Sequence, residues 1–266
     1  MLTDFVDFRL PVRNITTTWR AKASAGYRYH PDWEARAIAT TATSDNSTTA
    51  RAGNDYDQTG TEIGIRYLPR SGNWIGLALR HAETVYPSAR FNDIAKNDLQ
   101  VQARWAISGH SRLDLHAGYT DLRHDQFSQR DFSGPTGRLD YDWTVNGKST
   151  VSVVARRELS GYETSVSSFV DTRAIAIAPT WNPTAKTSLR LRYEQQWKRY
   201  RGDAAVIVAG APERDDRIGT LALTASYAPW RFVQLTLELR QEDRDSNEPR
   251  FLYDASTAQG TLQVLF

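Results

Sequence analysis

The chain has 266 residues, no cysteine, 33 Lys and Arg against 31 Asp and Glu, and a formal net charge of +2. This excludes thiolate metal sites, disulfides and Cys nucleophiles, and removes any bulk electrostatic case for nucleic acid. Mean hydropathy is −0.56 and no stretch approaches the ~18 apolar residues of a membrane helix, but barrel strands are only half apolar and escape that test.

Met1 is followed by LTDFVDFRLP, which lacks the basic start and apolar middle of an export signal. An exported form is therefore expected to be a mature or truncated chain. Residues 3–12, TDFVDFRLPV, read as a first strand. TWRAKASAGYRY then sets Trp19, Ala21, Ala23, Ala25, Tyr27 and Tyr29 on one face. Arg20, Lys22, Ser24, Gly26 and Arg28 take the other. The same period of two recurs in NDLQVQARW (from Asn97), SLRLRY (from Ser188) and FVQLTLELR (from Phe232). It closes the chain in GTLQVLF, where Leu262, Val264 and Phe266 share a face. Such alternation predicts strands with one apolar and one wet side, and no amphipathic helix stands out.

A repeat lies beneath the strands. Tyr29, Tyr67, Trp105, Trp143, Trp181 and Tyr227 each precede a short turn, with gaps of 38, 38, 38, 38 and 46 residues. A further 39 residues lead to Phe266, which the pattern makes the seventh copy. Longer polar segments, expected as loops, cover about 45–59, 84–97, 123–136, 159–167, 200–216 and 243–254. Short turns on one side and long loops on the other are the layout of an outer-membrane barrel. The seven aromatics are then a periplasmic interface girdle, where rings with one apolar and one hydrogen-bonding end are favoured. A soluble β-sandwich also alternates, but it rarely holds a constant hairpin repeat with aromatics always at one end.

The expectation is a single all-β domain over 1–266: a closed, antiparallel, up-and-down transmembrane β-barrel of about 14 strands. Seven run down to the aromatics, six run up, and residues 3–12 supply the last. The count becomes 12–18 if N-terminal strands precede this chain. The bacterial outer membrane is the expected location.

The wet face is expected to carry Arg20, Lys22, Arg28, Arg36, Arg66, Arg80, Arg104, Arg112, Arg138, Arg156, Arg190, Arg192 and Arg240, 13 cations against seven carboxylates. Rings of Arg select anions, and paired guanidinium hydrogen bonds suit an acidic polysaccharide. The plainer alternative is that these side chains pair across strands and brace a water-filled barrel. His116 beside Asp114 is the nearest approach to a hydrolytic pair, and it lacks a nucleophile and an oxyanion hole. No nucleotide-binding, zinc or calcium signature appears, so neither cofactor nor metal is expected.

The ordered series RYLPRSGNW, ETVYPSARF, QRDFSGPTGRLDYDW, WNPTAKTSLRLRYEQQWKRYRG and LELRQEDRDSNEPRFLYD resembles the exopolysaccharide-biosynthesis outer-membrane barrels, the EpsL-like family. The likeness runs from about residue 60 to the end. It implies a non-enzymatic pore or scaffold in exopolysaccharide export, and N-terminal strands beyond those present here. The implied partners are outer-membrane lipid, the barrel-assembly machinery acting on the C-terminal strand, anionic polysaccharide and periplasmic secretion components, with no nucleic acid. A general or small-anion porin is the alternative, which needs residues 200–216 to fold inward. An outer-membrane hydrolase is a third reading.

Overall fold

A computed structural model describes residues 13–126, 128, 131–164, 167–201 and 213–265. Thirteen strands form one antiparallel sheet in sequence order. They are β1 (Thr16–His30), β2 (Trp33–Asn46), β3 (Tyr56–Tyr67), β4 (Trp74–Val85), β5 (Ile94–Ser108), β6 (Ser111–His124), β7 (Phe132–Asn146), β8 (Ser149–Thr164), β9 (Ser167–Thr184), β10 (Thr187–Arg201), β11 (Asp215–Trp230), β12 (Val233–Ser246) and β13 (Tyr253–Val264). Each strand pairs with its chain neighbours, which is the up-and-down topology read from the alternation.

Five of the six short turns have two residues, between β1 and β2, β5 and β6, β7 and β8, β9 and β10, and β11 and β12. The sixth, between β3 and β4, is longer and holds Gly72 at a φ of 80°, a conformation that a Cβ would disfavour. These turns are linked to one another. The carbonyl of one hairpin accepts the amide that follows the next girdle aromatic: Leu68 to Asp32 at 2.7 Å, Thr144 to His110 at 2.7 Å, Asn182 to Lys148 at 2.7 Å, and Ala228 to Lys186 at 2.8 Å. At the longer turn the Asn73 side chain substitutes, accepting from the Ala106 amide at 2.8 Å.

The last link of this series corrects the seventh copy of the repeat. Leu265 donates to the carbonyl of Phe232 at 2.9 Å, and Val264 pairs with Val233 as Tyr67 pairs with Trp33. The girdle position on β13 therefore belongs to Val264, 37 residues after Tyr227. Phe266 itself lies outside the described residues.

On the opposite rim the strands run into the expected loops: β5 begins at Ile94, β7 at Phe132 and β11 at Asp215, and β12 continues to Ser246. Of the expected loop at 159–167, residues 159–164 and 167 belong to strands: β8 and β9 continue to pair through Gly161–Phe169 and Thr164–Ser167. The other long connections hold short 3-10 turns at Thr49–Asn54, Arg90–Asn92 and Pro249–Phe251. Most of the 200–216 segment, on which the porin reading depends, lies outside the described residues.

So does the expected strand at 3–12. Among the described residues β1 and β13 each have one unpaired edge, and β13 is exposed throughout. Both run toward the short turns, so direct pairing between them would be parallel. Antiparallel closure takes an odd number of further strands. Closure matters because unpaired backbone groups in lipid cost several kcal/mol each.

Inside the sheet Thr120 is fully enclosed, at 0% exposure. Its hydroxyl donates to Asp98 at 2.5 Å and lies 2.7 Å from the Thr136 hydroxyl. Thr120→Val keeps the shape and removes that donor from a carboxylate that is 3% exposed. The expected loss is about 1–3 kcal/mol, measured by chemical unfolding in detergent; an unchanged midpoint would mean Asp98 is solvated by another route.

Candidate functional site

Directly paired residues of antiparallel strands lie on the same face. Followed across the sheet, the registers put Arg20, Lys22, Arg28, Arg36, Arg66, Arg80, Arg104, Arg112, Arg138, Arg156, Arg190, Arg192 and Arg240 on one face. The other face carries Ile63, Leu79, Leu99, Ile175 and Leu237, each at least 48% exposed. A continuous exposed apolar band of this kind fits contact with lipid. At its lower edge Trp105, Trp143, Trp181 and Tyr227 are 38–51% exposed, Tyr29 is 52% exposed, and Tyr67 packs on Trp33 with ring centroids 5.2 Å apart.

The registers add residues to the polar face that the sequence reading left out: Lys96, Lys198 and Arg244, with Asp98, Glu158, Asp216 and Glu242. The excess of cations falls from six to five, and its distribution is uneven. On β5 to β13 ten cations face nine carboxylates. Most of these are paired. Arg138 grips Asp140 at 2.6 and 2.7 Å. Arg104 reaches Asp114 at 2.5 Å, and Arg112 reaches Asp114 at 3.3 Å and Asp142 at 3.1 Å. Arg156 bridges Glu158 at 3.2 Å and Glu194 at 2.8 Å, and Arg192 also binds Glu194. Arg240 binds Glu242. On this wall bracing accounts for the charges.

The wall formed by β1 to β4 is different. Its polar face has six cations, Arg20, Lys22, Arg28, Arg36, Arg66 and Arg80, and two carboxylates, Glu34 and Glu62. Arg28 meets Glu34 at 3.9 Å. Arg66 lies 4.3 Å over the Trp74 ring and donates to Gln102 at 3.4 Å. Gly76, opposite Arg66, makes room for this: a Cβ there would stand 2.8 Å from the Arg66 Cγ. Arg20, Lys22, Arg36 and Arg80 make no ion pair or hydrogen bond among the described residues.

These six occupy five successive rungs of the sheet, in the order Arg20, Lys22, Arg80, Arg36, and then Arg28 with Arg66. Rungs on one face are two residues apart, about 6.7 Å along the strands, so the series spans roughly 27 Å. Between the cations the face is small-sided, with Ser24, Gly26, Ala42, Gly60, Gly64 and Ala78. The result is a cationic ladder crossing the sheet from its long-loop rim to its short-turn rim.

The face is also wet. Arg104, Arg112 and Arg138 keep 52–58% of their side chains exposed even while paired. Thirteen strands about 4.8 Å apart and tilted ~40° make roughly 80 Å of wall, well beyond the eight-strand size whose interior side chains fill. His116 shares the polar face with Asp114, but Asp114 is taken by Arg104 and Arg112. No hydrogen bond joins the two among the described residues. No group of His, Asp or Glu suited to a metal occurs among the described residues.

No family model matches the chain, and no curated protein matches it. Solved structures do. The FrpB iron transporter from Neisseria meningitidis aligns over 95% of this chain and 49% of its own, at 12% identity and a TM-score of 0.62. The alcaligin outer-membrane receptor FauA from Bordetella pertussis aligns over 94% of this chain and 50% of its own, at 11% identity and a TM-score of 0.52. The chain thus spans about half the length of these barrels, and what is shared is the fold. With the exposed apolar band, the aromatic lower edge and the wet charged face, it follows that this chain is an antiparallel, up-and-down β-barrel of the outer membrane.

Proposed function

We propose that this barrel forms the outer-membrane pore, or the scaffold around one, through which an acidic exopolysaccharide leaves the cell. The observation that carries the reading is the ladder on β1 to β4: a cation on each of five rungs, of which Arg28 alone meets a carboxylate among the described residues. Guanidinium binds carboxylate through paired, directional hydrogen bonds, and a repeated row of such groups suits a repeated anion. The resemblance to exopolysaccharide-biosynthesis barrels points the same way. Loading by periplasmic secretion components at the short turns and insertion by the barrel-assembly machinery belong to the same proposal.

The test is single-channel conductance of the purified barrel in planar bilayers, with an acidic oligosaccharide added on either side. Anion selectivity and block by the sugar are expected, and the triple variant R36Q/R66Q/R80Q is expected to lose both. Anion selectivity with no block in wild type favours a small-anion porin, because the same ladder attracts simple anions. A barrel silent in every condition, together with normal polymer export in a deletion strain, overturns the pore.

A further inference from the structure

The lipid-facing side of the sheet has a charged patch that the lumen does not explain. Across β8 to β11 the residues Arg157, Arg173, Trp197 and Arg217 stand in direct register, one per strand. All four share the face of Ile175, Ile177, Leu221 and Leu223, which are 43–49% exposed. Arg199 lies one rung further out on the same face, opposite Asp171 and Asp215.

The height of this row is set by the strands. From Tyr227 in the lower girdle to Arg217 is ten residues of β11. At about 3.3 Å per residue and ~40° of tilt this is roughly 25 Å, the height of the apolar band of such barrels. The guanidinium row therefore sits at the outer headgroup level. Trp197, 41% exposed, has the ring type that favours this interface.

The patch is local. On the outward faces of β1 to β7 at the same rim, Arg123 is the one Lys or Arg among the described residues, and it donates to Asp121 at 2.9 Å. On β8 to β11 there are five arginines. Two are occupied: Arg157 holds Asp171 at 2.8 and 3.0 Å, and Arg201 holds Glu213 at 2.9 Å and Asp215 at 2.8 Å. Arg173 shares Asp171 at 3.5 Å and remains exposed. Arg199 and Arg217 are exposed and have no ion pair among the described residues; Asp245 stands opposite Arg217 in register but does not reach it. Arg173, Trp197, Arg199 and Arg217 line one groove of about 600 Å³, together with Asp215 and Asp245, which stand in register opposite Arg199 and Arg217.

We propose that this groove binds the phosphorylated headgroup of an outer-leaflet lipid, with Arg173 and Arg217 on the phosphate across Trp197. The acyl chains lie on the Ile175, Ile177, Leu221 and Leu223 surface below. Arginine is suited to phosphate because its fork donates two parallel hydrogen bonds. The chemistry is phosphate recognition; the height and the apolar surface beneath make the source a lipid rather than a solute.

The experiment is native mass spectrometry of the whole barrel in detergent, titrated with a diphosphorylated acylated disaccharide lipid and with its dephosphorylated form. Wild type is expected to retain the phosphorylated lipid at least ~10-fold more tightly. R173Q/R217Q is expected to lose that preference, while Arg123→Gln, on β6 and outside the groove, keeps it. Inorganic phosphate is expected not to compete. Equal retention of both lipids by wild type overturns the site, as does undiminished preference in the double variant. Competition by inorganic phosphate replaces the lipid with a free-anion site and overturns the proposal as stated. Folded barrel is confirmed by its resistance to unfolding in SDS without heating. If the double variant fails that check, Arg217→Gln, an exposed and unpaired side chain, is read instead. Lumenal conductance does not enter the readout, so this test and that of the pore fail separately.

Discussion

Asp216→Asn is expected to destabilise the barrel by about 3–5 kcal/mol, the largest effect of any single substitution considered. The Asp216 carboxylate has no exposed surface and lies between two guanidinium groups that are themselves 5–6% exposed. Arg214 donates to it at 2.7 and 3.1 Å, and Arg244 at 3.1 Å. Tyr200 joins both arginines through its hydroxyl, at 3.0 and 3.2 Å, and the Phe251 ring lies 3.3 Å from the Arg214 guanidinium carbon. Two cations already share one anion. Making the anion neutral removes the charged acceptor that both buried guanidinium groups grip, and weakens four charge-assisted hydrogen bonds at a desolvated site. Equilibrium unfolding in detergent reads the loss; a change under about 0.5 kcal/mol would show that the cluster is solvated and the burial unimportant. The cluster ties β10, β11, β12 and the Pro249–Phe251 turn together at the long-loop rim, so local proteolysis there should rise before global unfolding does.

Leu239→Arg is expected to cost roughly 2–4 kcal/mol, through a different mechanism. Leu239 lies near the middle of β12 on the lipid face, 46% exposed, flanked by Leu223 and Ala258 in register. A guanidinium there meets hydrocarbon at mid-depth with no carboxylate beside it. The adjacent residue supplies the control. Glu238 points the other way and has no ion pair among the described residues, so Glu238→Gln should change stability by less than about 0.5 kcal/mol. Equal effects at 239 and 238 in refolding titrations into vesicles would refute the assignment of faces.

The faces were legible in the sequence because a strand exposes its two sides to two solvents, and a period of two records both. The girdle was legible because an interface aromatic recurs once per hairpin. Two things were hidden for a common reason: they depend on neighbours far apart in the chain. Arg156 finds Glu194 38 residues away, so a list of lumenal charges does not reveal which are braced and which form the ladder. The Arg214–Asp216–Arg244 cluster brings together two strands and falls in segments that read as loops. Lys96, Asp216 and Arg244 fall in segments that read as loops because strands that extend beyond the hydrocarbon are wet on both faces and lose the apolar half of their signature. On the final hairpin the register follows its hydrogen bonds, which pair Val264 with Val233 at the girdle rung.

The linked short turns make the hairpin a module. Each carries one acceptor for the unit that follows and one donor for the unit before, repeated every 38 residues from Leu68 to Ala106, Thr144 and Asn182. Excising or duplicating one such unit removes or adds two strands, keeps both rims in phase, and preserves the alternation of strand direction. Circumference in this architecture can therefore change in whole hairpins without redesign of the joins. A wider or narrower bore is one recombination event away, and the lipid-facing surface never has to be reinvented.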